Sequence, residues 1–122
     1  YTKPDGTKQD FCGEAIRFLK RQEEGLKEVS FSNVSYQELI LPPKSLIYCD
    51  PPYLGTTGYK HPFNHNEFYA WCLTKHKEGH IIFVSEYWMP EPFVEVWSKE
   101  QTTNLDNNRQ AKRAVEKLFT LL

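Results

Sequence analysis

Leu46-Ile47-Tyr48-Cys49-Asp50-Pro51-Pro52-Tyr53 decides the fold class of this chain. Four apolar or aromatic residues read as a buried strand, and the strand runs straight into an acid, two prolines and a tyrosine. Proline lacks the N–H that a sheet ladder needs, so the strand stops at Asp50. Asp50 to Tyr53 then read as a stiff polar-aromatic loop at the carboxyl end of a strand, which is where open α/β sheets bind ligands. An acid and an aromatic ring fixed by two prolines suit a flat ring that carries an amino group.

The neighbouring segments supply the rest of an α/β unit. Downstream, Leu54 to Pro62 is rich in glycine and threonine and reads as a loop. Asn64 or Asn66 is placed to cap a helix over 66–77, whose apolar face comes from Phe68, Tyr69, Trp71, Cys72 and Leu73. Gly79 suits the position just past that helix. His80-Ile81-Ile82-Phe83-Val84 is a second short, β-branched run and reads as a strand buried on both faces. Two such strands around one helix make a βαβ unit. Phe93 to Trp97 alternates, with Phe93, Glu95 and Trp97 on one face. Residues 100–113 are polar with a turn signal at Asn107-Asn108, and Val115 to Leu122 is expected to hairpin with 93–97. The expected product is a mixed sheet with a C-terminal antiparallel hairpin. Upstream, residues 1–13 read as loop, 14–26 as an amphipathic helix, and 28–32 as a short strand. Residues 35–41 begin a helical turn that Pro42-Pro43 ends. Trp71 and Trp97 are expected in the core.

Composition narrows the class. The 122 residues suffice for one small domain, and 39% hydrophobic with 25% charged residues is ordinary for a globular chain. No apolar run is long enough to span a membrane, so none is expected as a partner. Cys12, Cys49 and Cys72 are odd in number and widely spaced, which argues against a disulfide framework or a zinc site and makes reduced, cytoplasmic conditions the default. His61, His65, His76 and His80 lack ligand spacing, and no metal is expected. A net charge of −1 does not advertise nucleic-acid binding. Basic clusters around Lys20-Arg21 and Arg109-Lys117 read as solvated surface.

Asp50-Pro51-Pro52-Tyr53 after Leu46-Ile47-Tyr48-Cys49, followed by Gly55-Thr56-Thr57-Gly58-Tyr59, resembles the adenine-specific DNA methyltransferases of the Dam-like group carried by phages and bacteria. His80 to Glu86 and Val115 to Leu122 are similar to the later strands of that family. The likeness spans residues 27–122, and 1–26 would be a loop and helix from the tail of a target-recognition region. It implies a Rossmann-like S-adenosylmethionine-dependent methyltransferase fold, with S-adenosylmethionine as cofactor, double-stranded DNA as partner, and DNA methylation of the restriction-modification kind. The family's glycine-rich segment, which cradles the cofactor, has no counterpart among the six glycines of this chain. The resemblance is therefore to a C-terminal half. The strand before Asp50 would then lack its neighbour in the sheet, and bare strand edges are rare. A further N-terminal segment, a partner chain or self-association is expected to cover it, and the isolated chain is expected not to turn over.

By resemblance, Asp50 accepts a hydrogen bond from one hydrogen of the adenine amine, and the backbone carbonyl of Pro51 or Pro52, with Pro52 favoured, accepts the other. Two acceptors placed in advance aim the nitrogen lone pair at the methyl carbon and stabilise the charge that develops. Tyr53 stacks on the flipped base, a contact worth about 1–3 kcal/mol. Tyr59 or Phe63 adds a second face. Asp50, Ser35 and Tyr36 meet the cofactor; the alternative for Ser35 and Tyr36 is a helix cap and a core tyrosine. Glu86 lines the substrate side, or is a surface acid. Two other functions share the loop: a glutamine methyltransferase acting on protein, which usually has asparagine in place of Asp50, and a non-catalytic remnant that binds DNA or a partner.

Overall fold

A computed structural model of the chain describes residue 6 and residues 10–55, 61–103 and 112–122. The chain divides into two compact units, 1–35 and 36–122.

The first unit is built on one helix, α1 (Phe11–Glu23), continued by a turn of 3-10 helix at Glu24–Leu26. It begins before residue 14 because the Asp10 carboxylate accepts from the Gly13 amide at 2.9 Å, satisfying one of the amides that a helix start leaves free. No residue of α1 is buried. The strand expected at 28–32 does not form, and Phe31 is 78% exposed. Alternation alone does not make a strand; a ladder needs a partner, and none among the described residues pairs with this segment.

The second unit is a four-stranded sheet with one helix: β1 (Leu46–Cys49), α2 (His65–Lys77), β2 (Ile81–Glu86), β3 (Val94–Thr103) and β4 (Lys112–Thr120). The strand order is β1-β2-β4-β3, so β4 pairs with β2 and the hairpin forms one side of a mixed sheet. β1 and β2 run parallel, with Leu46 opposite Ile81 and Cys49 opposite Val84. β4 is antiparallel to both neighbours. The start of the parallel pair is pinned twice: Ile81 donates its amide to the Ser45 carbonyl at 3.0 Å, and Ser45 donates to His80 Nδ1 at 3.1 Å.

Asn64, rather than Asn66, caps α2, its Oδ1 accepting from the Glu67 amide at 3.1 Å. Gly79, at φ +94°, follows the Glu78 C-cap in the left-handed conformation that suits glycine. Asn64→Ala should cost about 1 kcal/mol, read as a shift in urea midpoint at unchanged slope.

The core lies between α2 and one face of the sheet, where Phe68 and Cys72 meet Ile82, Val84 and Phe119. The expectation that β2 is buried on both faces fails. Ile82 and Val84 are buried, whereas Ile81 is 56% exposed, as are Leu46 (66%) and Tyr48 (61%) of β1. A single helix covers only one side of the sheet.

The hairpin is longer than its apolar residues suggest, running from Val94 to Thr103 and from Lys112 to Thr120. Its register slips between Glu95, opposite Phe119, and Trp97, opposite Leu118. This bulge puts Trp97 on the opposite face to Glu95, and leaves it 51% exposed rather than in the core. Asn107-Asn108, the expected turn, lies outside the described residues.

Candidate functional site

β1 ends at Cys49, and the next four residues leave the sheet as Asp50-Pro51-Pro52-Tyr53. Asp50 is exposed; the two prolines and Tyr53 are half-buried. Asp50, Pro51 and Pro52 line a cavity of about 320 Å³ whose aromatic wall includes Tyr36, Phe63 and Trp71. The Tyr36 ring meets Trp71 edge-on at 5.2 Å and Phe63 at 6.0 Å. The wall is possible because Tyr36 begins a single turn of 3-10 helix at Tyr36–Glu38, Phe63 precedes α2, and Trp71 lies two turns into it. Burial pushes the Tyr36 phenol above its ordinary range, with Glu67 and Cys72 adding to the effect. The Trp71 indole N–H is buried with no hydrogen-bond partner among the described residues, an uncommon state for a donor.

Tyr53 is not part of that wall. Its hydroxyl shares a 2.5 Å hydrogen bond with the Ser85 hydroxyl, and its ring meets Tyr87 edge-on at 4.6 Å. Burial raises its pKa, and the bond to Ser85 partly offsets the rise. A second, shallower hollow of about 560 Å³ opens past Leu54, with His65, Tyr69 and Trp88 around it. Phe63 borders both hollows.

Glu86 ends β2 fully buried, so it is not a surface acid. Its Oε2 accepts from the Leu54 amide at 3.0 Å, and its Oε1 from its neighbour Tyr87 at 2.7 Å. Both oxygens are engaged by backbone, so its place is under the loop rather than against a substrate. His65 Nε2 lies 2.9 Å from the Pro52 carbonyl and 3.9 Å from Glu86 Oε2. A carbonyl only accepts, so that nitrogen carries a proton. The carbonyl of Pro52, favoured from sequence as a ligand acceptor, is thus already engaged by His65.

Burial raises the Glu86 pKa above its ordinary value, against the two amides and His65, which lower it. A carboxyl whose folded pKa is raised binds its proton more tightly in the folded state. Its contribution to stability is therefore full below about pH 4.5 and is lost as pH rises through the folded pKa. Wild type should lose stability relative to Glu86→Gln across that interval, measured by urea unfolding at a series of pH values. A pH-independent difference between the two proteins would contradict this.

Ser35 is the last residue of the first unit, and Tyr36 the first of the second. Tyr59 lies outside the described residues. His65 and Ser85 escaped the sequence reading, since neither sits in a motif. The only hint of His65 was its place directly after a helix cap. Cys12 is exposed, Cys49 half-buried and Cys72 buried, and all three are free thiols. Contact with Cys49, together with burial, pushes the Cys72 thiol well up. Among the described residues no cluster of metal-ligating side chains forms, and no helix is long and apolar enough to cross a membrane.

No protein-family model matches the chain, and no curated protein or solved structure shows significant similarity to it.

Proposed function

We propose that this chain is the C-terminal half of an S-adenosylmethionine-dependent methyltransferase that methylates the exocyclic amine of adenine in DNA, as its resemblance to the Dam-like group suggests. The observation that carries the reading is the position of Asp50. An acid and two prolines follow a strand of a parallel pair and open onto an aromatic-walled cavity.

The division of residues around the loop supports two ligands. Tyr36, Phe63 and Trp71 suit the adenine ring of the cofactor. Tyr53, outside that cavity, is left for the target base. Bound S-adenosylmethionine supplies an activated methyl group on a sulfonium. Asp50 accepts one hydrogen of the target amine and the Pro51 carbonyl the other, so the nitrogen lone pair faces the methyl carbon as its charge develops. Neither proline offers an N–H, which keeps the site rich in acceptors.

The open edge of β1 supports the incompleteness of the site. Among the described residues β1 pairs only with β2, and its Leu46 and Tyr48 side chains are largely exposed. A parallel strand in that position is ordinarily covered on both sides. We read the edge as the seat of a further strand, from a cofactor-binding half carried by the same polypeptide, a partner or a second copy. Calorimetry with S-adenosylmethionine tests this. The chain alone should bind at millimolar strength or not at all, and adding a glycine-rich N-terminal half should restore binding. No restoration would favour a non-catalytic remnant.

A further inference from the structure

Buried Glu86 and half-buried His65 take no part in the chemistry just described. The loop they touch has few ways to be held. Pro51 and Pro52 have no N–H groups, so the first backbone donors after Asp50 are those of Tyr53 and Leu54. Leu54 donates to Glu86 Oε2 at 3.0 Å, and the Pro52 carbonyl accepts from His65 Nε2 at 2.9 Å. The same carboxylate holds the Tyr87 amide at 2.7 Å. One buried acid and one histidine thus tie the loop to the end of β2 and the start of α2.

We propose that Glu86 and His65 are positioning residues that clamp the Pro52–Leu54 backbone and thereby hold Asp50 and the Pro51 carbonyl in their ligand-accepting geometry. The clamp rests on reading Asp50–Tyr53 as the amine-gripping loop. Its two members are neighbours: His65 Nε2 also lies 3.9 Å from Glu86 Oε2. The groups facing Glu86 are Asp50 from the loop, and His65 and Tyr69 from α2. Lys117 of β4 lies opposite Glu86 in register, but its ammonium pairs with Glu95 at 2.8 Å. Among the described residues, His65 is the basic group that faces the carboxylate.

The test is a pH titration of the backbone amides by NMR, on the 122-residue chain. In wild type the Leu54 and Tyr87 amides should shift together with one midpoint, because one carboxylate accepts from both. In Glu86→Gln both titrations should vanish, while the Ile82 and Val84 amides hold their places and show that the sheet is folded. His65→Phe keeps a ring but removes the donor, and should displace the Tyr53 and Leu54 signals. His65→Gln returns an N–H at the same reach and should bring them back. In an assembly with a cofactor-binding half, His65→Phe should lower kcat about a hundredfold with KM little changed, and His65→Gln should recover much of the loss. Leu54 and Tyr87 titrating independently, or His65→Gln behaving like His65→Phe, would overturn the clamp. An assembly that methylates nothing, together with co-titrating amides, would sink the methyltransferase reading and leave the clamp standing.

Discussion

Asp50→Ala should abolish methyl transfer to adenine in the assembled enzyme, lowering single-turnover rates by about 10²–10³-fold or more. The amine of adenine is a weak nucleophile because its lone pair is delocalised into the ring. An acceptor fixed beside it takes effect only as the nitrogen becomes tetrahedral and positive, so the loss should appear in kcat rather than KM. Asp50 is exposed at the rim of the aromatic cavity, so its removal should leave the fold intact. Asp50→Asn keeps one acceptor oxygen and should retain more activity than alanine. Mass spectrometry of digested DNA measures the N6-methyladenine formed, and unchanged turnover in the alanine variant would refute the assignment.

Phe68→Ala should cause the largest loss of stability. Phe68 is 3% exposed in the first turn of α2, with ring contacts to Phe63 at 5.5 Å, Tyr36 at 5.7 Å and Trp71 at 6.4 Å. Truncating a buried phenylalanine costs about 3–5 kcal/mol, the lost transfer energy plus the cavity left behind. Small domains are stable by about 5–15 kcal/mol, so the variant would be largely unfolded under mild stress. The same residue lines the cavity below Asp50, so whatever fraction stays folded should also bind ligand poorly. Urea unfolding followed by tryptophan fluorescence measures the effect. A loss below about 1 kcal/mol would show that the aromatic cluster is not the core that this structure describes.

Where one physical signal dominates, the sequence was readable. Leu46 to Cys49 and Ile81 to Val84 are short, apolar and bounded, and both are strands of a parallel pair. Asn64 and Gly79 mark the ends of α2 by cap chemistry that acts within four residues. The failures share a cause: they depend on partners distant in the chain. Residues 28–32 alternate correctly but have no neighbouring strand among the described residues. Residues 98–103 lack an apolar pattern yet are held in β3 by the ladder to β4. Trp97 changes face because of a bulge that no local pattern announces. At the site, Asp50 to Tyr53 stood out because prolines and an acid after a strand are conspicuous. His65 and the buried state of Glu86 did not, because a loop 32 residues upstream supplies the amide that Glu86 accepts.

The central claim is that this loop presents the amine of adenine for methylation. Its most direct test is to combine the chain with an S-adenosylmethionine-binding half, supply a tritiated methyl donor, and offer double-stranded DNA and a glutamine-bearing protein acceptor together. Label should be recovered as N6-methyladenine, and should be absent with Asp50→Ala. Label on glutamine, or none on either acceptor although the assembly binds the cofactor, would contradict it.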